Sequence, residues 1–218
     1  NLERIRYTTS HPKDFTDDLI QAHSECNKLM PLLHLPVQSG STKILQNMNR
    51  NHTIEEYLGI IEKLKKNNPS IKFSSDFIIA YPDESINDFN KTLSLMKQVK
   101  FINSYSFIFS ARPGTPAANL KRIDYETAKE RLFIFQKVAN EIKENYRKEL
   151  INSTASVLFE NNTKGPDKYF GRDEYFNSVI VHSDEDLTGK VRKVKIDKCN
   201  HNTLFGEVVI DKRKDYAA

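Results

Sequence analysis

The hydrophobic period of this chain changes once, near Ile151, and that change limits the folds open to it. Up to about residue 150, short apolar runs alternate with helical patterns, the rhythm of a parallel sheet or barrel assembled from βα units. Beyond that point apolar residues recur at every second position between turn residues, as in a small all-β module. A length of 218 residues accommodates both parts. The expected fold is therefore α/β over 1–150, an all-β barrel over 151–212 and a polar tail over 213–218.

Four βα units are legible in the first part. The first strand lies near Arg4–Thr8 and ends in Thr9-Ser10-His11-Pro12, with Thr16 capping a helix that runs to about Lys28. The second is Leu33-His34-Leu35-Pro36-Val37-Gln38-Ser39-Gly40-Ser41, an alternating run that ends in a polar turn containing glycine. Ser41 is placed to cap a helix carrying Ile44, Leu45 and Met48 inward, with Arg50 at its far end. A Thr53-x-x-Glu56 capping box starts the next helix, whose apolar positions are Tyr57, Ile60, Ile61 and Leu64. The third strand spans about Ile71–Tyr81, and Ser85 with Asp88 opens a helix carrying Phe89, Leu93 and Met96. The fourth runs Ser104–Ser110 with Tyr105, Phe107 and Phe109 on one face, and the longest helix follows from about Asp124 to Leu150. In the second part the runs Ala155–Glu160, Asn177–His182, Gly189–Asp197 and Leu204–Ile210 read as strands. Its length suits a five-stranded barrel of the oligonucleotide-binding sort.

Polar residues gather at the strand ends: Ser10 and His11, Gln38 and Ser39, Ser110 and Arg112. In parallel sheets and barrels that carboxyl rim is where ligands bind, because its loops vary while the sheet stays fixed. An amide and hydroxyls at a strand end, followed by one arginine, suit a polar ligand bearing a carboxylate. Each residue has a plainer reading as well. Turn formation accounts for the serines, a helix C-terminal cation for Arg50, a satisfied buried carboxylate for Asp76 and a hydrogen-bonded core residue for His34.

Charge and cysteine content narrow the classes further. Net charge is +4, but residues 151–218 hold eleven Lys/Arg and eleven Asp/Glu, so no general basic field argues for nucleic acid there. A local run does: Lys190, Arg192, Lys193, Lys195 and Lys198 lie close in sequence to Tyr169, Phe170, Tyr175 and Phe176, cations and aromatics as used on single-stranded or loop RNA. A solvated charged strand is the alternative. Cys26 and Cys199 form no metal or redox spacing and read as reduced cytosolic thiols. No run approaches the ~18 apolar residues of a membrane helix. The chain opens on Asn1 and already reads as strand by Arg4, so it is expected to be a piece of a longer protein.

Several motifs together carry a resemblance. His34–Ser41, Met48-Asn49-Arg50, Ser74-Ser75-Asp76-Phe77-Ile78 and Tyr105–Ala117, with its Arg112-Pro113-Gly114-Thr115-Pro116 loop, resemble the radical S-adenosylmethionine methylthiotransferases. The resemblance is to the branch that acts on isopentenylated adenosine in tRNA, and the loop sets it apart from the ribosomal-protein methylthiotransferases, which carry acidic residues before that Gly-Thr. Gly171-Arg172-Asp173, Asn177 and Val179-Ile180-Val181 resemble the RNA-binding TRAM domain that ends these enzymes. The resemblance implies a partial (β/α) radical-type barrel, a TRAM/OB-like barrel, and a methylthio transfer beside a tRNA anticodon. It also implies S-adenosylmethionine as cofactor, with Gln38, Ser39, Arg50, Asp76 and Arg112 as binding residues, and the tRNA anticodon stem-loop as partner, met by Arg172, Lys193 and Lys195. Of these, Gln38 and Asp76 match ribose-binding positions and Arg50 the arginine that pairs with the methionine carboxylate.

Two departures from the family pattern stand out. The turn Ala80-Tyr81-Pro82-Asp83-Glu84 has alanine and aspartate where the family has glycines; if the backbone needs positive φ there, each costs about 1 kcal/mol or more. The three-cysteine motif for a catalytic [4Fe–4S] cluster is not in this chain, and the cluster-binding amino-terminal part of the same protein is expected upstream. Two other functions remain open from the residues: a stand-alone RNA-binding module, and a methylthiotransferase for threonylcarbamoyladenosine.

Overall fold

The computed structural model describes residues 2–9, 11–163, 165 and 167–209. Ser10, Ile210 and the expected tail lie outside the described residues. The chain forms two compact units, Asn1–Lys143 and Glu144–Ala218.

In the first unit β1 (Leu32–His34), β2 (Lys72–Ile79) and β3 (Asn103–Ile108) make a parallel sheet in that order. The helices are α1 (Asp17–Glu25), α2 (Thr42–Asn47), α3 (Ile54–Asn67), α4 (Ile86–Val99) and the long α5 (Tyr125–Glu149), which runs on into the second unit. Along β2 the odd positions Phe73, Phe77 and Ile79 enter a core with Leu33, Leu35, Val37, Tyr57, Phe89 and Phe135. The rings of Phe101 and Phe135 stand 5.5 and 4.8 Å from that of Phe77. Asp76 and Ile78, partly exposed, belong to the opposite face of the strand.

The expected first strand is reduced to two isolated parallel bridges, Ile5 to Leu29 and Thr8 to His34. No residue from 2 to 9 is fully buried, so little apolar burial drives a longer ladder. β1 is also shorter than its apolar run, because Pro36 has no N–H to donate. Ser75 bridges the gap: its hydroxyl accepts from the Val37 N–H and donates to the Leu35 carbonyl, both at 2.9 Å. Pairing resumes at Gln38, whose N–H donates to the Asp76 carbonyl at 2.9 Å. α2 ends at Asn47, with Met48 as C-cap and Asn49 at φ 57°, so Arg50 lies in the link to α3 and not on a helix end.

The expected capping box of Thr53 with Glu56 is present on α3, and Ser85 with Asp88, expected to open a helix, forms a second one on α4. Ser41 occupies the N-cap position of α2 without capping it; its hydroxyl donates to Asp88 Oδ1 at 2.7 Å.

The second unit closes β4 (Thr154–Asn162), β5 (Lys168–Arg172), β6 (Ser178–His182), β7 (Val191–Cys199) and β8 (Thr203–Val208) into a barrel ordered β4-β5-β6-β8-β7. Val157, Phe159, Tyr169, Val179, Val181, Val194, Ile196 and Leu204 fill it. Tyr169, grouped above with the RNA-facing aromatics, is therefore a core residue, 6% exposed. β5 had no strand signal of its own because its second inward position is Gly171. A Cβ there would sit 2.5 Å from the Leu158 carbonyl oxygen, so the close approach of β4 excludes the apolar side chain that would have marked the period.

Candidate functional site

The polar turn after β1 is held from beneath by α4. The Gly40 N–H donates to Thr92 Oγ1 at 2.9 Å and the Ser41 N–H to Ser39 Oγ at 3.2 Å. Burial pulls the Asp88 carboxyl upward, but hydrogen bonds from Ser85 and Ser41 and the nearby Lys43 outweigh it, holding the group well below the usual carboxylate range. Ser39 is 1% exposed, and its hydroxyl accepts from the Ser41 N–H within this turn.

Gln38 is different. Its φ of 75° puts a non-glycine residue in the left-handed region, and its backbone is pinned to β2 on both sides by Asp76 and Ile78. Its side-chain amide makes no hydrogen bond among the described residues. Asp76, next along the rim, faces His34 Nε2 at 3.5 Å, while His34 Nδ1 meets Ser74 Oγ at 2.9 Å. Tyr105 stands opposite Asp76 in the register of β3, 57% exposed, with its ring 6.3 Å from that of His34. His34 is thus part of the Asp76 surface and not simply a core residue.

Arg50 comes close to a residue that sequence reasoning missed. His52 is 5% exposed, and neither of its ring nitrogens has a hydrogen-bond partner. Burial pushes its imidazole below the ordinary value; His11 and Arg50 push the same way, against Glu56 and the Val37 backbone. The Val37 backbone sets His52 beside the carboxyl end of the β1 run. Arg112 lies exposed in the loop after β3. Nothing in the sequence marked His52, since its neighbours come from separate segments.

On the barrel, Lys193 and Lys195 are exposed on β7 while Val194 and Ile196 point inward, as strand alternation requires. Lys190 and Arg192 both pair with Glu185, at 2.5 and 3.1 Å. Arg172 lies between two rings, 4.1 Å from Phe176 and 5.3 Å from Phe170, and its Nε reaches Glu160 at 3.3 Å. β4 separates these groups: Ser156 pairs with Lys193 on one side and Leu158 with Arg172 on the other. The result is one outer face carrying lysines at one edge and a guanidinium stacked on aromatics at the other.

Residues 1–96 match the Radical SAM superfamily and residues 148–209 the TRAM domain. The chain is 56% identical over 218 residues to a tRNA-2-methylthio-N(6)-dimethylallyladenosine synthase of Pelagibacter ubique, a match covering 99% of this chain and 48% of that protein. Relatives of the same name from Ruegeria pomeroyi and Rickettsia canadensis are 45% and 46% identical, each over 95% of this chain and 47% of their own length. The chain thus spans about half the length of the curated relatives it matches. Among solved structures, the Escherichia coli coproporphyrinogen III oxidase HemN, a radical SAM enzyme, aligns with a TM-score of 0.51 at 12% identity, over 94% of this chain and 51% of that one. That likeness carries the fold alone. A Radical SAM match is thus followed in this chain by a TRAM match, and nearly the whole chain is similar to one half of synthases that form a methylthio nucleoside in tRNA.

Proposed function

We propose that this chain is part of an enzyme that replaces a hydrogen of isopentenylated adenosine in tRNA with a methylthio group. The observation that carries this reading is the 56% identity, over 99% of the chain, to a synthase of that product. The rim supports S-adenosylmethionine as its ligand: a free amide at Gln38, an accepting carboxylate at Asp76, a guanidinium at Arg50 and buried unpaired nitrogens at His52 are a donor set that a nucleoside bearing an amino acid would complete. Gln38 and Asp76 then hold the ribose, Arg50 the carboxylate, and Arg112 closes the rim from the loop after β3. Bound beside a reduced cluster, that cofactor supplies the radical that removes the hydrogen.

The residues of this chain do not themselves fit an iron–sulfur cluster. Such clusters take three or four thiolates, and the chain has Cys26 and Cys199, one in each unit. Among the described residues no three His, Cys, Asp or Glu converge to hold a metal. Cluster ligands must come from the remaining half of the protein. On the barrel, Lys193, Lys195, Arg172 and Phe176 are suited to phosphates and unstacked bases of an anticodon stem-loop. No helix among the described residues is long and apolar enough to cross a membrane.

The test is the full-length protein containing this chain, reconstituted anaerobically and given S-adenosylmethionine with an isopentenylated anticodon stem-loop. Mass spectrometry of the digested RNA is expected to show the methylthio-isopentenyl nucleoside. Product only from threonylcarbamoylated RNA would move the substrate, and binding without any modified nucleoside would leave an RNA-binding protein.

A further inference from the structure

Beyond the carboxyl end of β1, side chains from separate connecting segments meet around His52. His11 comes from the N-cap of the short 3-10 turn Pro12–Asp14, its Nδ1 accepting from the Lys13 N–H at 3.1 Å, which leaves Nε2 free to act outward. Its ring stands edge-on to that of His52 at 5.1 Å. Tyr57 of α3 closes the other side at 6.4 Å and is itself anchored by its hydroxyl, which donates to the Leu35 carbonyl at 3.0 Å. Arg50 and Glu56 are the charged groups near enough to act on the His52 ring.

A buried imidazole with no well-formed hydrogen bond at either nitrogen, and only the Val37 backbone acting on it as an acceptor, is costly to keep, since most buried polar groups find partners. Here the missing partner is defined by what surrounds the ring. Arg50 is a permanent cation and His11 a second imidazole, so the group that satisfies all three is an anion. An anion also reverses the local balance: cationic neighbours now disfavour a charged His52, whereas a carboxylate among them favours it.

We infer that His11, Arg50 and His52 form a carboxylate-binding corner in which His52 takes up a proton from solvent as the amino-acid end of an S-adenosyl ligand docks. The inference rests on the cofactor reading above and adds His11 and His52 to it. Arg50 supplies the fixed charge; His52 supplies a donor that becomes charged only when the ligand is present. The affinity for the carboxylate therefore rises as pH falls toward the titration range of the ring, by at most about tenfold per pH unit for one proton taken up.

Two nucleosides separate the carboxylate from the rest of the ligand: S-adenosylhomocysteine, which has it, and methylthioadenosine, which does not. Their dissociation constants for the full-length protein containing this chain are measured by calorimetry from pH 7.5 to 5.5, and the His52 ring is followed by NMR. The expected result is tighter binding of S-adenosylhomocysteine at lower pH, an upward shift of the His52 titration on its addition, and neither effect with methylthioadenosine. His52→Phe, checked for folding by thermal melting, should bind both nucleosides without that pH trend; His52→Gln, which keeps a donor but cannot titrate, should retain affinity and lose only the trend. Equal pH dependence for both nucleosides, or a trend that survives in His52→Phe, overturns the inference alone. If neither nucleoside binds at any pH, the cofactor reading falls and the inference with it.

Discussion

Ala80 and Asp83 show how far single residues could be read from sequence. Alanine and aspartate at family glycine positions were expected to be costly if the backbone turned left-handed, and it does, with φ of 59° and 64°. Ala80→Gly should therefore raise stability by about 1 kcal/mol, and Asp83→Gly by less, because aspartate tolerates that region better. Urea unfolding of each variant measures this, and an Ala80→Gly midpoint at or below that of the parent would remove the claim of strain. His52 was invisible at this scale because its unpaired nitrogens are a property of its surroundings. It also makes a pH prediction, with His23, whose ring burial likewise depresses. A histidine depressed in the folded state contributes stability above its unfolded value, and that stability is lost as pH falls through the folded one. The melting temperature should therefore begin to fall below about pH 6.5, before ordinary carboxylates titrate. A flat profile down to pH 5 would contradict it.

The helices were more legible than the strands, since capping boxes are local sequence signals and strand pairing is not. Thr53 with Glu56 and Ser85 with Asp88 start helices where their spacing says they should. What spacing could not reveal is that Asp88 serves two elements, capping α4 while accepting from Ser41 at the start of α2. Asp88→Ala should accordingly cost about 2 kcal/mol or more, beyond a lost cap alone. The glycine of the same turn is fixed by packing: a Cβ on Gly40 would stand 2.5 Å from the Thr92 Cα, which is backbone and cannot rotate away. Gly40→Ala should destabilise by about 1–3 kcal/mol, read from denaturant midpoints, and a neutral outcome would mean α4 can shift at no cost. β1 and β5 were misjudged for opposite reasons, one shortened by Pro36 and the other hidden by Gly171.

At the scale of the whole chain the question is how a barrel with balanced charge holds RNA. The run Lys190–Lys198 looked like five equivalent cations, and the fold sorts them. Glu185 occupies Lys190 and Arg192, while Lys193 and Lys195 stand exposed with no ion pair among the described residues, although Lys195 faces Glu207 across the ladder. Counterion release counts phosphates met by free cations, so the salt dependence should follow Lys193 and Lys195. If each meets one phosphate, the double variant Lys193→Ala, Lys195→Ala should lower the magnitude of the log–log salt slope by ~1.4, at about 0.7 per single-strand phosphate. Arg172 should behave differently. Its guanidinium already lies between the Phe170 and Phe176 rings and beside Glu160, so Phe176→Ala should weaken binding through lost stacking, by about 1–3 kcal/mol, with the slope unchanged. Titrating an anticodon stem-loop at several salt concentrations against both variants separates these roles. A slope that stays constant without the two lysines would shift the phosphate contacts to Arg172, whose pairing with Glu160 would then have to open on binding.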